Sequence, residues 1–452
     1  MEREVTLTTV SSGASGSAVA QLPGAGPAAP SAVRGAVGRG GPSGGISAAR
    51  PPLIRALNEQ LLLEHIRSLG PCSRAELARA SGLSKPTVSL ALGNVERAGL
   101  VRAAGQRTGV PGRSALLYEI RPDAGLVLGL DIGHEYLRGA ITDLTGEIRA
   151  KAESRCTVAS VRQRVAELVR LADGICAAAG VERADVTQTV IGSPGVYDPR
   201  RDAITLTGGM AGWDNPAVLA GLREAFGENL AVENDTDAAA LAEREHGHGR
   251  EFASFVFVSI GTGIGMGLVL GGQLHRGAHG VAGEIAFLPI TEGPGGAVGD
   301  EEVRRRGTLE AVGSAAAIVR AARRAGLRTR SARQVFAAAA ADERAAAIVA
   351  AEARLVAKAI CAIIAVVDPG LVVLGGGIGQ APGFAAAVSI ELGQIAPVLP
   401  ELRVSALGTS AVVDGCLASG ADLAWRRLTA QPAQAQADQS PDGEQASVPA
   451  AT

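Results

Sequence analysis

The 452-residue sequence predicts an α/β protein with a winged helix-turn-helix on its N-terminal side. Three observations lead there. From Gly125 onward, short apolar runs alternate with helical segments, the pattern of strands separated by helices. Ahead of that body, Leu53 to Ile120 reads as helix, helix, tight turn, helix, then two short strands around a Gly/Arg-rich loop. The composition is 47% hydrophobic but only 3% aromatic, so a large core is possible and must be built mainly from Val, Leu, Ile and Ala.

Residues 1–52 are rich in Gly, Ser, Ala and Pro without periodicity and predict a flexible arm. Arg34, Arg39 and Arg50 in that arm are within the chemistry of DNA phosphates, or are simply solvated. The next segment, 53–122, is the helix-turn-helix module. Leu61, Leu62, Leu63 and Ile66 mark the buried face of a helix over Leu57 to Ser68. Ser73-Arg74-Ala75-Glu76 is a capping box that opens a short helix ending near Ala80. Ser81-Gly82-Leu83 makes the turn. Ser84 caps a third helix that tolerates Pro86 in its first turn and stops at Gly99. Leu100-Val101 and Ala115 to Tyr118 flank the loop Gly105 to Arg113, which is the wing.

Charge gives the module a partner. Between Pro51 and Arg121 there are ten Lys/Arg and five Asp/Glu, about +5 in a chain whose net charge is −2. A basic module on an acidic body implies an anionic partner for the module alone. In a helix-turn-helix that partner is duplex DNA, read by the N-terminal residues of the second helix of the motif. Here these are Ser84, Lys85, Thr87, Val88 and Ser89, with Lys85 directed to phosphate or guanine and the hydroxyls to bases or phosphates. Arg107 and Arg113 in the wing are candidates for backbone or minor-groove contacts. The competing reading is a three-helix protein-interaction module with a solvated basic face.

In the body, strands are expected at Leu126 to Asp131, Gly139 to Asp143, Val186 to Gly192, Leu230 to Glu233, Phe255 to Ile260 and Leu371 to Leu374. Helices are expected at Val161 to Ala179, Asp237 to Glu245, Ala311 to Ala325, Ala345 to Val367 and Val412 to Arg427. Phe252 to Leu274 holds no charged residue and is long enough to cross a bilayer. Its Gly-rich centre is a poor helix, so the segment predicts a buried β-hairpin and no membrane span. No repeat of 20–50 residues exists, which excludes a solenoid. Cys72, Cys156, Cys176, Cys361 and Cys416 are scattered without a C-x-x-C pair, which fits a reducing cytoplasm. The first residues lack an apolar stretch of signal-peptide type. Residues 429–452 predict a second structureless segment.

Several motifs follow one another in the body. Leu130-Asp131-Ile132-Gly133 resembles a first phosphate loop, and Ser193-Pro194-Gly195-Val196 a Pro-Gly turn before a sugar loop at Gly208 to Trp213. Glu233-Asn234-Asp235 precedes an Ala-rich helix. Gly261-Thr262-Gly263-Ile264-Gly265 resembles a second phosphate loop, and Gly283-Glu284-Ile285 a sugar-contacting segment. In this order they resemble the ROK group (repressor, open reading frame, kinase), from about Leu53 to Arg427. The resemblance implies a two-lobed actin-like ATPase (ribonuclease H-like) fold over 123–428. Its first lobe would be 123–236 plus 411–428, and its second lobe 237–410. It implies phosphate-loop positions Asp131, Gly133, Gly261, Thr262 and Gly263, and ligand positions Asn234, Asp235, Glu284 and Glu310. A dinucleotide fold fits less well, because Asp131 and Gln380 stand where close-approach glycines belong.

Two departures from the group bear on activity. Kinases of the group continue the first loop as Gly-Gly-Thr, whereas this chain reads Gly133-His134-Glu135. A carboxylate beside ATP phosphates would cost on the order of a few kcal/mol. Asp235 matches the kinase base, yet it can equally bond a sugar hydroxyl. The group's zinc segment has a His where this chain has Phe287, and Thr291 to Gly307 contains no Cys. The expectation is therefore a transcription regulator of carbohydrate genes, of repressor type and not an enzyme. It would use no metal or cofactor, and would bind operator DNA as a cytoplasmic homodimer or dimer of dimers. Its effector would be a sugar or sugar phosphate. The alternatives are a sugar kinase with an accessory DNA module, and a regulator whose body serves only dimerisation or protein contacts.

Overall fold

The computed structural model describes residues 6–9, 51–107, 115–156, 158, 160–207, 210–290 and 301–437. After β1 (Thr6–Thr9) come α1 (Pro51–Leu69), β2 (Cys72–Ser73), α2 (Arg74–Ser81), α3 (Lys85–Arg97), β3 (Val101–Arg107) and β4 (Ala115–Ile120). The last six form the winged helix-turn-helix. The capping box at Ser73 is present: the Glu76 N–H donates to Ser73 Oγ (3.3 Å), and the Ser73 N–H donates to Glu76 Oε2 (2.9 Å). Gly82 takes φ +69°, a left-handed position that closes the turn after α2. Strands in the order β2-β4-β3 cover a core of Leu62, Ile66, Leu77, Leu92 and Tyr118. Helix α1 starts at Pro51, earlier than expected, because proline fits a first turn whose N–H groups have no partners anyway.

The first lobe contains β5 (Leu126–Ile132), β6 (Tyr136–Asp143), β7 (Ile148–Arg155), α4 (Val161–Ala178), β8 (Gln188–Ser193), β9 (Val196–Asp198), β10 (Ala203–Thr205), α5 (Pro216–Phe226) and β11 (Leu230–Asn234). Its sheet runs β1-β7-β6-β5-β8-β11, with β5, β6 and β7 antiparallel and β8 and β11 parallel to β5. β5 is buried along its whole length, the mark of a central strand covered on both faces.

The second lobe opens with α6 (Asp235–His246), β12 (Phe255–Ile260), β13 (Ile264–Leu270) and β14 (Gln273–Leu274). Helices α7 (Glu301–Arg306), α8 (Thr308–Gly313), α9 (Ala315–Arg324), α10 (Ala332–Ala338) and α11 (Glu343–Val367) follow. The lobe closes with β15 (Leu371–Gly375), α12 (Gly376–Gly379), α13 (Phe384–Leu392) and β16 (Glu401–Val404), and the chain returns through α14 (Ala411–Ala437). The sheet order β14-β13-β12-β15-β16 repeats that of β7-β6-β5-β8-β11, including which neighbours are parallel. This duplication is the two-lobed plan that the resemblance implied. The uncharged Phe252–Leu274 stretch forms the expected hairpin of β12 and β13. Among the described residues no helix is long and apolar enough to cross a membrane.

Helix α6 packs on β12 and β13, α14 packs on β5 and β8, and the two helices pack on each other. They cross backbone to backbone at Gly415, where a Cβ would lie 1.7 Å from the Ala238 carbonyl oxygen. Farther along α14, Leu417, Ala424 and Trp425 join Leu62, Leu63 and Tyr118 of the winged helix-turn-helix in one apolar cluster. Arg67 of α1 pairs with Asp422 of α14 at 3.3 Å.

Three expectations are corrected. Thr6–Thr9, read as part of a structureless arm, pairs antiparallel with β7 over Ala150 to Glu153, which suits a Thr-rich segment facing an open sheet edge. The single helix expected over Ala311 to Ala325 breaks at Ser314, whose backbone is extended (φ −75°, ψ 164°). The break frees the Ala315 N–H to donate to the Gly261 carbonyl (2.8 Å). The last helix continues past Arg427 and Thr429 to Ala437, through Ala and Gln residues of good helix propensity.

Candidate functional site

The site is built on the N-terminus of α6. Asn234 is its cap: Oδ1 accepts from the N–H groups of Thr236 (2.9 Å) and Asp237 (3.1 Å). Its Nδ2 donates to the Gly195 carbonyl (3.0 Å), which ties the Pro-Gly turn of the first lobe to the helix. Asn234 therefore positions the site, with both ends of its amide already engaged. Asp235, the first helical residue, accepts from the Thr236 N–H (2.8 Å). Glu284, Glu310 and Asp131 all lie close enough to Asp235 to interact with its charge.

These carboxyls come from the end of β5, the start of α6, the segment after β14 and α8, so both lobes contribute. Burial raises all four. It lifts Asp131 to about 7, partly offset by Arg138 at 3.4 Å. It lifts Glu284 to about 7, helped by Asp235 and Glu310. Asp235 and Glu310 are raised for the same first reason. Carboxyls that titrate near neutrality can accept or donate, which suits hydroxyl groups that do both. Glu310 also braces the second loop, since its Oε2 accepts from the Ile264 N–H (3.0 Å). A Cβ on Gly263 would come within 2.8 Å of that oxygen, so the motif glycine is needed for close approach.

The two loops are closed by internal bonds. The Gly133 N–H donates to the Tyr136 carbonyl (3.0 Å), and the Gly261 N–H donates to the Gly263 carbonyl (2.9 Å). Arg164 of α4 donates to the carbonyls of Gly133 (2.7 Å) and His134 (3.3 Å). Burial, then Arg164, pushes the His134 imidazole below its usual range, so it is neutral at pH 7. Glu135 is exposed, so water screens its charge and the expected repulsion is smaller than the sequence suggested. Thr262 is exposed at the tip of the second loop.

The sugar loop expected at Gly208 to Trp213 is only partly described. Gly208 and Gly209 lie outside the described residues, and Trp213 is fully buried with Nε1 donating to Ser193 Oγ (2.8 Å). Trp213 is thus a core residue. The zinc position fails on donor chemistry: Phe287 offers no ligand atom, and 291–307 contains no Cys. Residues 291–300 lie outside the described structure.

In the winged helix-turn-helix, Lys85 and Ser89 are exposed on α3. Ser84 is spent on capping, with Oγ accepting from the Thr87 N–H (3.3 Å) and sharing a bond with Thr87 Oγ1 (2.8 Å). Val88, grouped above with the base-reading residues, is 0% exposed and belongs to the core. Arg107 of the wing donates to Glu76 at 2.5 Å. Backbone and hydroxyl donors of Ser73, with Arg107, hold the Glu76 carboxyl down at about 2. Arg113 lies outside the described residues.

Sequence reasoning missed Arg164, Arg138 and an ion pair between Arg276 and Glu233 (Nε–Oε1 3.1 Å) that joins the second lobe to the first. No spacing rule reveals pairs made by tertiary folding.

The family model described as "ROK family" matches residues 127–421. The chain belongs to the ROK family. Over 240 residues this ROK protein is 28% identical to a putative xylose repressor of Caldicellulosiruptor sp. (strain Rt8B.4), covering 53% of this chain and 60% of that protein. It is 27% identical over 237 residues to the xylose repressor of Bacillus spizizenii, covering 52% and 61%. The match thus spans about three-fifths of these relatives' length. Among solved structures, a ROK family transcriptional regulator described as a homolog of E. coli MLC protein superposes with TM-score 0.67 at 24% identity, covering 84% of this chain and 99% of that one. The ROK hexokinase from Thermus thermophilus superposes with TM-score 0.54 at 31% identity, covering 65% and 97%. Regulators and kinases both share the fold.

Proposed function

We infer that this ROK protein is a sugar-responsive, DNA-binding transcriptional repressor that works as a dimer and lacks kinase activity. One observation carries the reading. A winged helix-turn-helix, with Lys85 and Ser89 exposed on α3, shares an apolar core with α14, the helix that crosses the ligand-site helix α6. Phosphoryl transfer itself does not require that connection. Likeness to proteins described as xylose repressors supports the same reading.

The cleft fits a small neutral polyol. Asp235, Glu284 and Glu310 offer carboxyls to hydroxyl groups, and Asn234 sets their frame. Against phosphoryl transfer stand the loop that carries His134 in place of glycine and the Arg164 clamp on that loop's carbonyls. The dimer is supported by apolar side chains left exposed in the second lobe, Val366, Ile390, Val398 and Leu399.

The test is titration of the purified full chain against duplex DNA from upstream of its own gene, at several salt concentrations, with and without a panel of pentoses and hexoses. Sequence-dependent binding that weakens steeply with salt and is released by one sugar is the expected result. A chain that binds no such DNA, or that phosphorylates the sugar at the expense of ATP, overturns the reading.

A further inference from the structure

A cavity of about 650 Å³ opens beside the carboxylate cleft. Asn234 and Asp237 line it, whereas Asp235, Glu284 and Glu310 do not. It lies on the seam between the lobes. The β9–β10 hairpin, α5 and β11 form the first-lobe wall, and the loop from Arg276 to Gly280 forms the other. Its size falls within the range of small-molecule sites, roughly 300–1,000 Å³.

The charge of this cavity is opposite to that of the cleft. Four arginines, Arg200, Arg201, Arg223 and Arg276, line it together with His279, against Asp198, Glu233 and Asp237. Three of the arginines are held by partners: Arg276 by Glu233, Arg223 by Asp202 (2.5 Å) and Arg201 by Asp198 (3.6 Å). The Arg200 guanidinium and the His279 imidazole have no side-chain partner among the described residues. Asp237 is 4% exposed, and its Oδ1 has no hydrogen-bond partner among the described residues. Burial, then Glu233, lifts its carboxyl to about 8, so at pH 7 it is neutral and does not repel an anion. Val196, Leu219, Leu230 and Val232 give the cavity an apolar side that can cover a carbon skeleton.

We propose that this seam cavity is a second effector site that binds a small phosphate ester, its phosphate held by Arg200 from the first lobe and by Arg276 and His279 from the second. The carboxylate cleft repels such an anion, and the arginine cavity attracts it. Because the two walls belong to different lobes, the ester favours one relative position of the lobes. The site stands independently of the sugar reading, since it shares neither Asp235, Glu284 nor Glu310 with the cleft.

The experiment is calorimetry and thermal denaturation of the full-length protein at constant ionic strength. The probes are ribose 5-phosphate, glucose 6-phosphate, their unphosphorylated parents, and inorganic phosphate. Saturable binding of at least one phosphate ester is expected in the wild type and in Asp235→Asn. In the double variant Arg200→Ala, His279→Ala, affinity should fall roughly ten-fold or more while the melting temperature without ligand stays unchanged, because both side chains are exposed and have no side-chain partner among the described residues. No saturable ester binding overturns the proposal, as does equal affinity in the double variant. Ester binding lost in Asp235→Asn but kept in the double variant also overturns it, by placing the ester in the sugar cleft. Failure of the sugar response alone leaves these outcomes readable.

Discussion

Glu352 sits inside α11 at 4% exposure, with Oε1 lacking a hydrogen-bond partner among the described residues, and burial alone lifts its carboxyl to about 8. In the unfolded chain it titrates near 4.5. A raised carboxyl favours the fold fully below the unfolded value, and that contribution is lost as pH rises toward the folded value. Glu352→Gln removes the titration. Its stability relative to wild type should therefore improve between pH 5 and pH 8, by an amount on the order of 3 kcal/mol. Urea unfolding at both pH values measures it, and an identical difference at the two would refute the assignment. Asp235 makes a second prediction. Asp235→Asn keeps an oxygen for the Thr236 N–H but changes the group facing Glu284 and Glu310. Sugar affinity should weaken roughly ten-fold or more with operator affinity unchanged. Unchanged sugar affinity would remove this cleft as the sensor. At this scale the sequence was legible where chemistry follows chain order. The pairing of Ser73 with Glu76 and the joining of Asn234 to Asp235 follow from adjacent residues. Val88 was misread although Val88, Leu92 and Val95 follow the i, i+4, i+7 spacing of a buried face. Glu233–Arg276 had no such signal.

Individual elements turn on caps and exposed faces. In α3, Ser84 holds the helix start and Lys85 projects from it, so neighbouring substitutions should separate stability from recognition. Ser84→Ala removes the cap at a cost of about 1 kcal/mol, read as a lower melting temperature of the module. Lys85→Ala should leave the melting temperature alone, weaken operator binding, and reduce the slope of log affinity against log salt by about one. A Lys85→Ala protein with wild-type affinity and slope would take this face out of the DNA contact. Elements with strong periodicity or caps were read correctly from sequence, including α2, α3, α4 and α11. β7 was not, because its outward positions carry Arg149, Lys151 and Glu153 and only Ala150 and Ala152 are buried within it. The break between α8 and α9 has a tertiary cause: Ala315 bonds the carbonyl of Gly261, a residue far away in the sequence.

On the scale of the whole molecule, α14 connects the parts that the proposed regulation would have to join. It touches the first-lobe sheet, crosses α6 at Gly415, and shares Leu417 and Trp425 with the core of the winged helix-turn-helix. In the proposed repressor, a sugar that closed the lobes would move α6, because Asp235 stands at its first turn, and α14 would have to follow where Gly415 meets Ala238. In a dimer whose two α3 helices must lie about one DNA turn apart, roughly 34 Å, a small rotation of each module spoils operator binding without altering any base contact. Regulatory coupling of this kind is typically 1–3 kcal/mol, or roughly 5- to 150-fold in affinity. Gly415→Ala places a methyl group against the Ala238 carbonyl and forces the two helices apart. It should leave sugar binding and operator binding each measurable in the folded protein, while the factor by which sugar weakens operator binding shrinks toward one. Operator titrations with and without saturating sugar, on wild type and variant, give that factor directly. If Gly415→Ala folds, binds both ligands and keeps the full wild-type factor, the signal does not pass through the α6–α14 crossing.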